Sequence, residues 1–299
     1  EIKKINVIIG KNNVGKSAFL DMIGFAANPS GMPQEYQGIR PEILIKTPLT
    51  EQTIKRVFLE GTSGGSIPGP NHYQFGERWI DAPITFRLIS GGGHQFIDLD
   101  PPLGIGREEG DFSTQLANNT SYPLQGKKFR KLSAERDIVP ESEKGMELQS
   151  NGQGATDIIQ QLRHGGGKNE KLIKRDLLSA MNVVFSPDLK FTSVEAKKEG
   201  TMYEVVLSTE NDDTVALSAS GSGIKTVILV LLNLLIIPVL EGTAPGSYIF
   251  AFEELENNLH PSLQRKLLEF IRKTVLDNGA YLFLTSHSIV VIVIRPLLL

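Results

Sequence analysis

The 299 residues carry 31 Lys and Arg against 34 Asp and Glu, a net charge of −3, with 40% hydrophobic residues and no cysteine. This is the balance of a globular chain long enough for one large or two ordinary domains. It excludes disulfides, thiolate metal centres and cysteine nucleophiles, and it supplies no overall positive field for nucleic acid, which would need a local patch.

The first signal in chain order is an apolar run, Ile5–Ile9 broken only by Asn6, which predicts a buried strand. It leads into Gly10-Lys11-Asn12-Asn13-Val14-Gly15-Lys16-Ser17, which fits the phosphate-binding pattern G-x-x-x-x-G-K-[ST], and Ala18 to Ile23 follows as a helix. Glycines at those positions let backbone N–H groups turn inward around phosphate, and the helix N-terminus adds partial positive charge. Gly10 and Asn12 to Ala18 are therefore candidate nucleotide contacts, with Lys16 reaching outer phosphates and Ser17 holding Mg²⁺.

From Asn28 to Gly126 the chain becomes rich in Pro, Gly and Ser, with short alternating stretches. Ile84–Leu88 and Gln95–Leu99 around Gly91-Gly92-Gly93 predict an antiparallel hairpin, and the segments 61–69 and 101–110 read as flexible loops. Residues 127–139 begin as a basic run, Lys127-Lys128-Phe129-Arg130-Lys131, which reads as a solvated basic face or a contact for a nucleic-acid backbone. Helices are expected at about 155–164 and 169–185, then strands from Phe191 to Leu217 around Asn211-Asp212-Asp213. The apolar run Val227–Leu240 is too short for a membrane span and contains Asn233 and Pro238, so a buried helix over about 222–236 is expected and no membrane partner. A strand (247–252), a helix (261–276) opened by Pro261 and closed before Gly279, and a strand (281–285) complete the reading.

Three strand or turn ends carry the remaining chemistry. Ser247–Phe252 aims an apolar strand at Glu253-Glu254, where a phosphate-loop fold manages Mg²⁺ and the attacking water: Glu253 near the metal, Glu254 orienting or deprotonating water. Ser220-Gly221-Ser222-Gly223 precedes a helix and offers hydroxyls and free N–H groups to a second anion. Tyr281–Ser286 ends at His287, a capped surface residue or a contact for a terminal phosphate. Other patterns fall away. Gly61-Thr62-Ser63-Gly64-Gly65 fits a nucleophile elbow but no helix follows it directly, and Gly104-Ile105-Gly106 lacks the third glycine of a dinucleotide site.

The order of phosphate loop, Ser-Gly turn before a long helix, Glu-Glu strand and strand-final His resembles ATP-binding-cassette-class ATPases. Glu253-Glu254-Leu255-Glu256-Asn257-Asn258-Leu259-His260-Pro261 is similar to the acidic strand end and Leu-His-Pro of the OLD (overcoming lysogenization defect) family, whose relatives include ATPase subunits of anti-phage systems. Ser133-Ala134-Glu135-Arg136-Asp137 resembles a segment these ATPases place at the end of a lobe strand, and it and Gln125 are candidates for metal sensing. The chain departs from the wider class in Glu253 for Asp, Leu255 for Pro, and Ser-Gly-Ser-Gly for Ser-Gly-Gly-Gln.

The resemblance implies an α/β P-loop fold of ABC type, a mixed sheet with an antiparallel β lobe. It implies one head over 1–299, a fragment of a longer chain, with 29–126 as the lobe and 127–299 as the helical segment, signature and second half of the nucleotide core. It further implies a cytoplasmic homodimer or higher homo-oligomer closing on ATP and Mg²⁺, with Ser220, Gly221, Ser222 and Gly223 of one head completing the partner head's site. Glu254 is then the base and His287 the γ-phosphate contact, in a head gating a nuclease or other effector domain or partner, with DNA as a further possible partner. The rival expectations are a RecF/SMC-like DNA clamp, a transporter nucleotide-binding subunit and a non-hydrolysing scaffold.

Overall fold

The computed structural model describes residues 1–287 apart from Asn12, Met146, Asp212 and Asn258, so parts of the predicted 211–213 turn and of the acidic segment lie outside the described residues. Among the described residues there are ten strands: β1 (Ile5–Ile9), β2 (Ile43–Pro48), β3 (Pro83–Leu88), β4 (His94–Leu99), β5 (Lys128–Leu132), β6 (Phe191–Glu199), β7 (Met202–Thr209), β8 (Thr214–Ala216), β9 (Tyr248–Glu253) and β10 (Tyr281–Ser286). Residues 1–20 with those from 128 onward form one unit, and residues 21–127 form another.

In the first unit, four strands lie in the order β1-β10-β9-β5, all parallel. Every residue of β9 is buried, as its unbroken apolar run requires of an interior parallel strand. The registers pair Ile9 with Ser286, Thr285 with Glu253 and Leu132 with Phe252. All four strands therefore finish at one edge, and Gly10, His287, Glu254 and Ser133 leave the sheet together. A separate antiparallel sheet, β6-β7-β8, belongs to the same unit. The α/β class with antiparallel strands is as expected, with parallel and antiparallel strands segregated into different sheets.

The helices around this sheet follow their sequence signals. Pro261 opens Pro261–Asn278, behind the His260 cap whose Nδ1 accepts from Ser262 N, and Gly279 closes it at φ +68°, a left-handed position a side chain resists. The apolar helix is longer than expected. It runs continuously from Ser222 to Leu240, long and apolar enough by composition to cross a membrane, yet most of it is buried in the unit's core. Its turn at Leu232–Ile236 is π-helical, just ahead of Pro238, whose missing N–H and bulky ring disturb the ladder. Leu172–Leu177, inside the helical stretch that follows Gly165-Gly166-Gly167, is a second π-turn and packs against the first.

β5 is a strand that the basic run hid. Arg130 donates from Nε to Asn233 Oδ1 at 3.1 Å and from Nη2 to the Leu148 carbonyl at 2.9 Å. Lys128 pairs with Glu241 at 2.5 Å and Lys131 with Glu253 at 3.1 Å. Arg130 and Lys131 thus turn their charge into the unit while Lys128 stays exposed, which corrects the reading of a wholly solvated basic face. Ser133–Asp137 accordingly lies at the end of a strand of the parallel sheet, not of a lobe strand.

The second unit holds the expected β3–β4 hairpin, extended by β2 into a three-stranded antiparallel sheet. It also contains helices at Glu51–Val57, His72–Gly76 and Glu109–Asn119, which the Gly- and Pro-rich texture concealed. Side-chain caps start the first two: Thr50 Oγ1 accepts from Thr53 N, and Asn71 Oδ1 accepts from Gln74 N at 2.8 Å. Their core is aromatic, with Phe58 stacked on Phe112 at 5.3 Å and Phe75 tilted on Trp79 at 4.9 Å. A side chain at Gly76 would meet the Phe58 ring at 2.5 Å, so this helix needs glycine there to approach. The segment read as a flexible loop at 101–110 is anchored: Leu103 and Ile105 are buried, and the Trp79 indole donates to the Pro101 carbonyl at 2.7 Å.

Phe252→Ala, which deletes a ring at the centre of the parallel sheet, should cost about 3–5 kcal/mol in a denaturant melt. Val183→Ala, at a helix position 61% exposed, should stay within about 0.5 kcal/mol. Equal losses at the two sites would contradict the burial of β9.

Candidate functional site

The loop after β1 is tied to the sheet by Gly10 N, which donates to the Ser286 carbonyl of β10 at 3.2 Å. A Cβ at Gly10 would lie 2.8 Å from Val14 Cγ2, so glycine there lets the exposed Val14 side chain fold against the loop. Asn13 (φ +62°) and Gly15 (φ +88°) take left-handed conformations that reverse the loop, a geometry that asparagine and glycine tolerate best. The helix Lys16–Ala27 starts at once, with Phe19 N donating to the Gly15 carbonyl at 2.9 Å. Val14 and Ser17 are exposed, Ala18 is half-buried, and Asn12 lies outside the described residues.

Lys16 is only 7% exposed. Its ammonium donates to the carbonyls of Gly10 (2.9 Å) and Lys11 (3.0 Å) and lies 3.4 Å from Glu254 Oε1. A buried ammonium needs such compensation, and acceptors at the mouth of the loop hold it where an anion would meet it.

Glu254 follows the last residue of β9 at φ +43°, with its N–H donating to the Thr285 carbonyl at 3.0 Å. Its Oε2 accepts from Asn257 Nδ2 at 3.1 Å and lies 3.5 Å from His287 Nδ1. Burial works to raise its pKa, but the hydrogen bonds from Asn257 and Lys16 and the positive charge of His287 and Lys16 hold it below the ordinary carboxylate value. Glu254 is therefore an ionised acceptor at neutral pH.

Glu253 points away from this cluster. It is buried, its Oε2 accepts from Ala134 N at 3.1 Å, and its Oε1 faces Lys131 at 3.1 Å without receiving a hydrogen bond. Glu256, from the same acidic segment, is buried and accepts at Oε1 from Ser286 Oγ (2.6 Å) and His287 N (3.0 Å). It fixes the backbone from which the partly exposed His287 ring extends.

The Ser-Gly turn stands at the start of Ser222–Leu231, with Gly221 as the residue before the helix and Gly221 and Ser222 exposed. Ser220 Oγ donates to the Leu217 carbonyl at 2.7 Å, and Ile224 N donates to the Gly221 carbonyl at 3.1 Å. Neither partner belongs to the phosphate loop. Lys16, Glu254 and His287 are thus brought together, whereas Glu253 bonds Ala134 and pairs with Lys131, and the Ser-Gly turn bonds Leu217 and itself. Gln125 sits in an exposed turn of the second unit.

Arg136 is the residue whose role the sequence concealed. Its Nη1 donates to the carbonyls of Ser133 and Glu253, both at 2.7 Å, its Nη2 to the Glu254 carbonyl at 3.1 Å and its Nε to Thr226 Oγ1 at 3.1 Å. Burial lowers its pKa to about 10 against the opposing pull of Glu256, Glu253 and Glu254, so it stays charged at neutral pH. Its position four residues after β5 was the available signal, in a segment that resembled a family motif. Among the described residues no three His, Asp or Glu side chains converge as a metal cage.

No curated protein matches the chain. Among solved structures it is similar to an Smc head bound to the C-winged-helix domain of ScpA, at 14% identity over 96% of this chain and 83% of that one, with a TM-score of 0.44. It is also similar to the Pyrococcus furiosus Smc head with an extended coiled coil bound to the C-terminal domain of ScpA, at 12% identity over 98% and 86% with a TM-score of 0.43. A third likeness is the Thermotoga maritima SMC head, at 11% identity over 97% and 82% with a TM-score of 0.39. Residues 112–292, more than half of the chain and containing the Glu253-Glu254 strand, the Ser-Gly turn and His287, match the family model described as AAA ATPase domain, and the chain belongs to that family.

Proposed function

We propose that this chain is an ATP-binding and ATP-hydrolysing head that closes on MgATP with a second copy of itself and gates a nuclease or other effector in bacterial anti-phage defence. The observation that carries the ATPase reading is the convergence of Lys16, Glu254 and His287 at the carboxyl edge of one parallel sheet, beside a loop shaped for phosphate. The OLD-like wording from Glu253 to Pro261 supports the defence role, with the effector on a further domain or a partner protein.

In this reading the Lys16 ammonium exchanges loop carbonyls and Glu254 for outer phosphate oxygens, which frees Glu254 to take a proton from water as the water oxygen bonds to the γ-phosphorus and the bond to the β–γ bridging oxygen breaks. His287 hydrogen-bonds the γ-phosphoryl group. Ser17, exposed at the helix start, would offer its hydroxyl to Mg²⁺, whereas Glu253, committed to Ala134 N and the Lys131 ammonium, would support the ion only from a distance. The ion, when bound, neutralises phosphate charge. Ser220–Gly223 of the second copy approaches the γ-phosphate.

Lys16→Ala should abolish ATP binding in calorimetry, because the phosphates lose their buried ammonium. Wild-type affinity in that variant would remove the phosphate-loop assignment. Glu254→Gln should bind MgATP, lose hydrolysis by about a hundredfold or more and accumulate as ATP-bound dimers in size-exclusion chromatography. Unchanged turnover would exclude Glu254 as the base. ATP-dependent retention on DNA without effector activity would favour the DNA-clamp reading.

The acid limb gives an independent check. Glu254 titrates below its ordinary value of 4.5 when folded, so its stabilisation is present above that value and is lost as pH falls through the lower folded value. The urea-melt difference between wild type and Glu254→Gln should shrink as pH falls below about 4.5 toward the lower folded value. A difference that persists at lower pH would place the Glu254 interactions elsewhere.

A further inference from the structure

Two adjacent residues after β5 grip two adjacent residues of the helix that follows the Ser-Gly turn. Arg136 donates to Thr226 Oγ1 at 3.1 Å, and Asp137 Oδ1 accepts from Lys225 Nζ at 2.6 Å. The Lys225 ammonium, itself buried, also donates to the Ser218 carbonyl at 2.8 Å, two residues before the turn. The other side of the Arg136 fork holds the carbonyls of Glu253 and Glu254. A guanidinium is planar and rigid, so its four bonds cannot be kept if the helix shifts and the strand end does not.

Glu254 is the residue on which this constraint falls. Its backbone is held on both sides of Cα, by its N–H bond to the Thr285 carbonyl and at its own carbonyl by Arg136, and its left-handed conformation persists only while the surroundings enforce it. The direction of the Glu254 side chain toward Lys16 and His287 follows from that backbone.

We propose that Arg136 is a positioning residue that makes the geometry of Glu254 depend on the position of the Ser222–Leu231 helix. An anion reaching the turn before that helix would move Thr226, and the guanidinium would carry the movement to the Glu254 carbonyl. The contribution of Arg136 is then to turnover and not to nucleotide affinity. The proposal rests on the reading of Glu254 as the base of an ATPase.

The test uses the full chain with MgATP. Thr226→Val removes one hydroxyl at nearly constant shape and should lower kcat about tenfold or more, the scale of one hydrogen bond to a charged group, while the calorimetric Kd for ATP stays near wild type and the melting temperature falls by only a few degrees. Thr226→Ser, which keeps the hydroxyl, should recover most of that loss. Arg136→Lys should lower kcat further with Kd unchanged, and Arg136→Lys/Thr226→Val should lose no more than Arg136→Lys alone, since both remove the same bond. Wild-type kcat in Thr226→Val, or losses in the double variant that multiply, would overturn the coupling while leaving the ATPase reading intact. A wild-type protein that binds no MgATP would overturn both.

Discussion

Charge withheld from water at one edge of a parallel sheet is the constraint on which the rest of this protein is arranged. Lys16, Glu253 and Glu256 are buried there, and Arg136 partly so. A buried ion survives only with opposite charge and hydrogen bonds around it, and each of these has both. The parallel topology makes this possible, because β1, β10, β9 and β5 end side by side and deliver the Gly10 and Lys11 carbonyls, Glu254, His287 and the Ser133–Asp137 segment to one place. The same crowding fixes the stretch after β9, where a non-glycine residue adopts a left-handed backbone.

The helix that begins at Ala155 meets a similar demand by a different route. Its first amides have no carbonyl partners within the helix, and no side chain at the preceding Gly154 can supply one. Glu141, from upstream in the chain, does so: its carboxylate accepts from Gly154 N, Thr156 N and Asp157 N. Asp157 in turn accepts from Lys144 N and Gly145 N, so the intervening loop and the helix start hold each other. Glu141 and Asp157, though acidic and lining a cleft, are therefore structural residues whose carboxylates are already occupied by backbone.

The parts legible in the sequence were those written in apolar runs and punctuation. β1, β9 and β10 follow from continuous hydrophobic residues, and Pro261 and Gly279 bound their helix within a residue or two. The phosphate loop was legible because its spacing is a backbone requirement. β5 was not, because a Lys-Lys-Phe-Arg-Lys run looks solvated until Glu241, Glu253 and Asn233 arrive from distant segments. The helices of the second unit were hidden for a related reason: Gly76 and Gly110 weaken local helix preference, and packing among Phe58, Phe75, Trp79 and Phe112 restores it. In the site, residue types pointed to Lys16, Glu254 and His287, but the fourfold engagement of Arg136 exists only in three dimensions.

The paired π-turns at Leu172–Leu177 and Leu232–Ile236 bear on how this chain is compared with others. A π-turn accommodates one residue more than the regular spiral and rotates everything beyond it by about 100° about the helix axis. A homologue lacking that one residue would run as an unbroken α-helix with its remaining side chains still facing the core. An alignment gap at either position therefore marks an insertion absorbed within a helix, not a lost loop. Since the two turns pack against each other, evolutionary change in one alters the shape its neighbour must match.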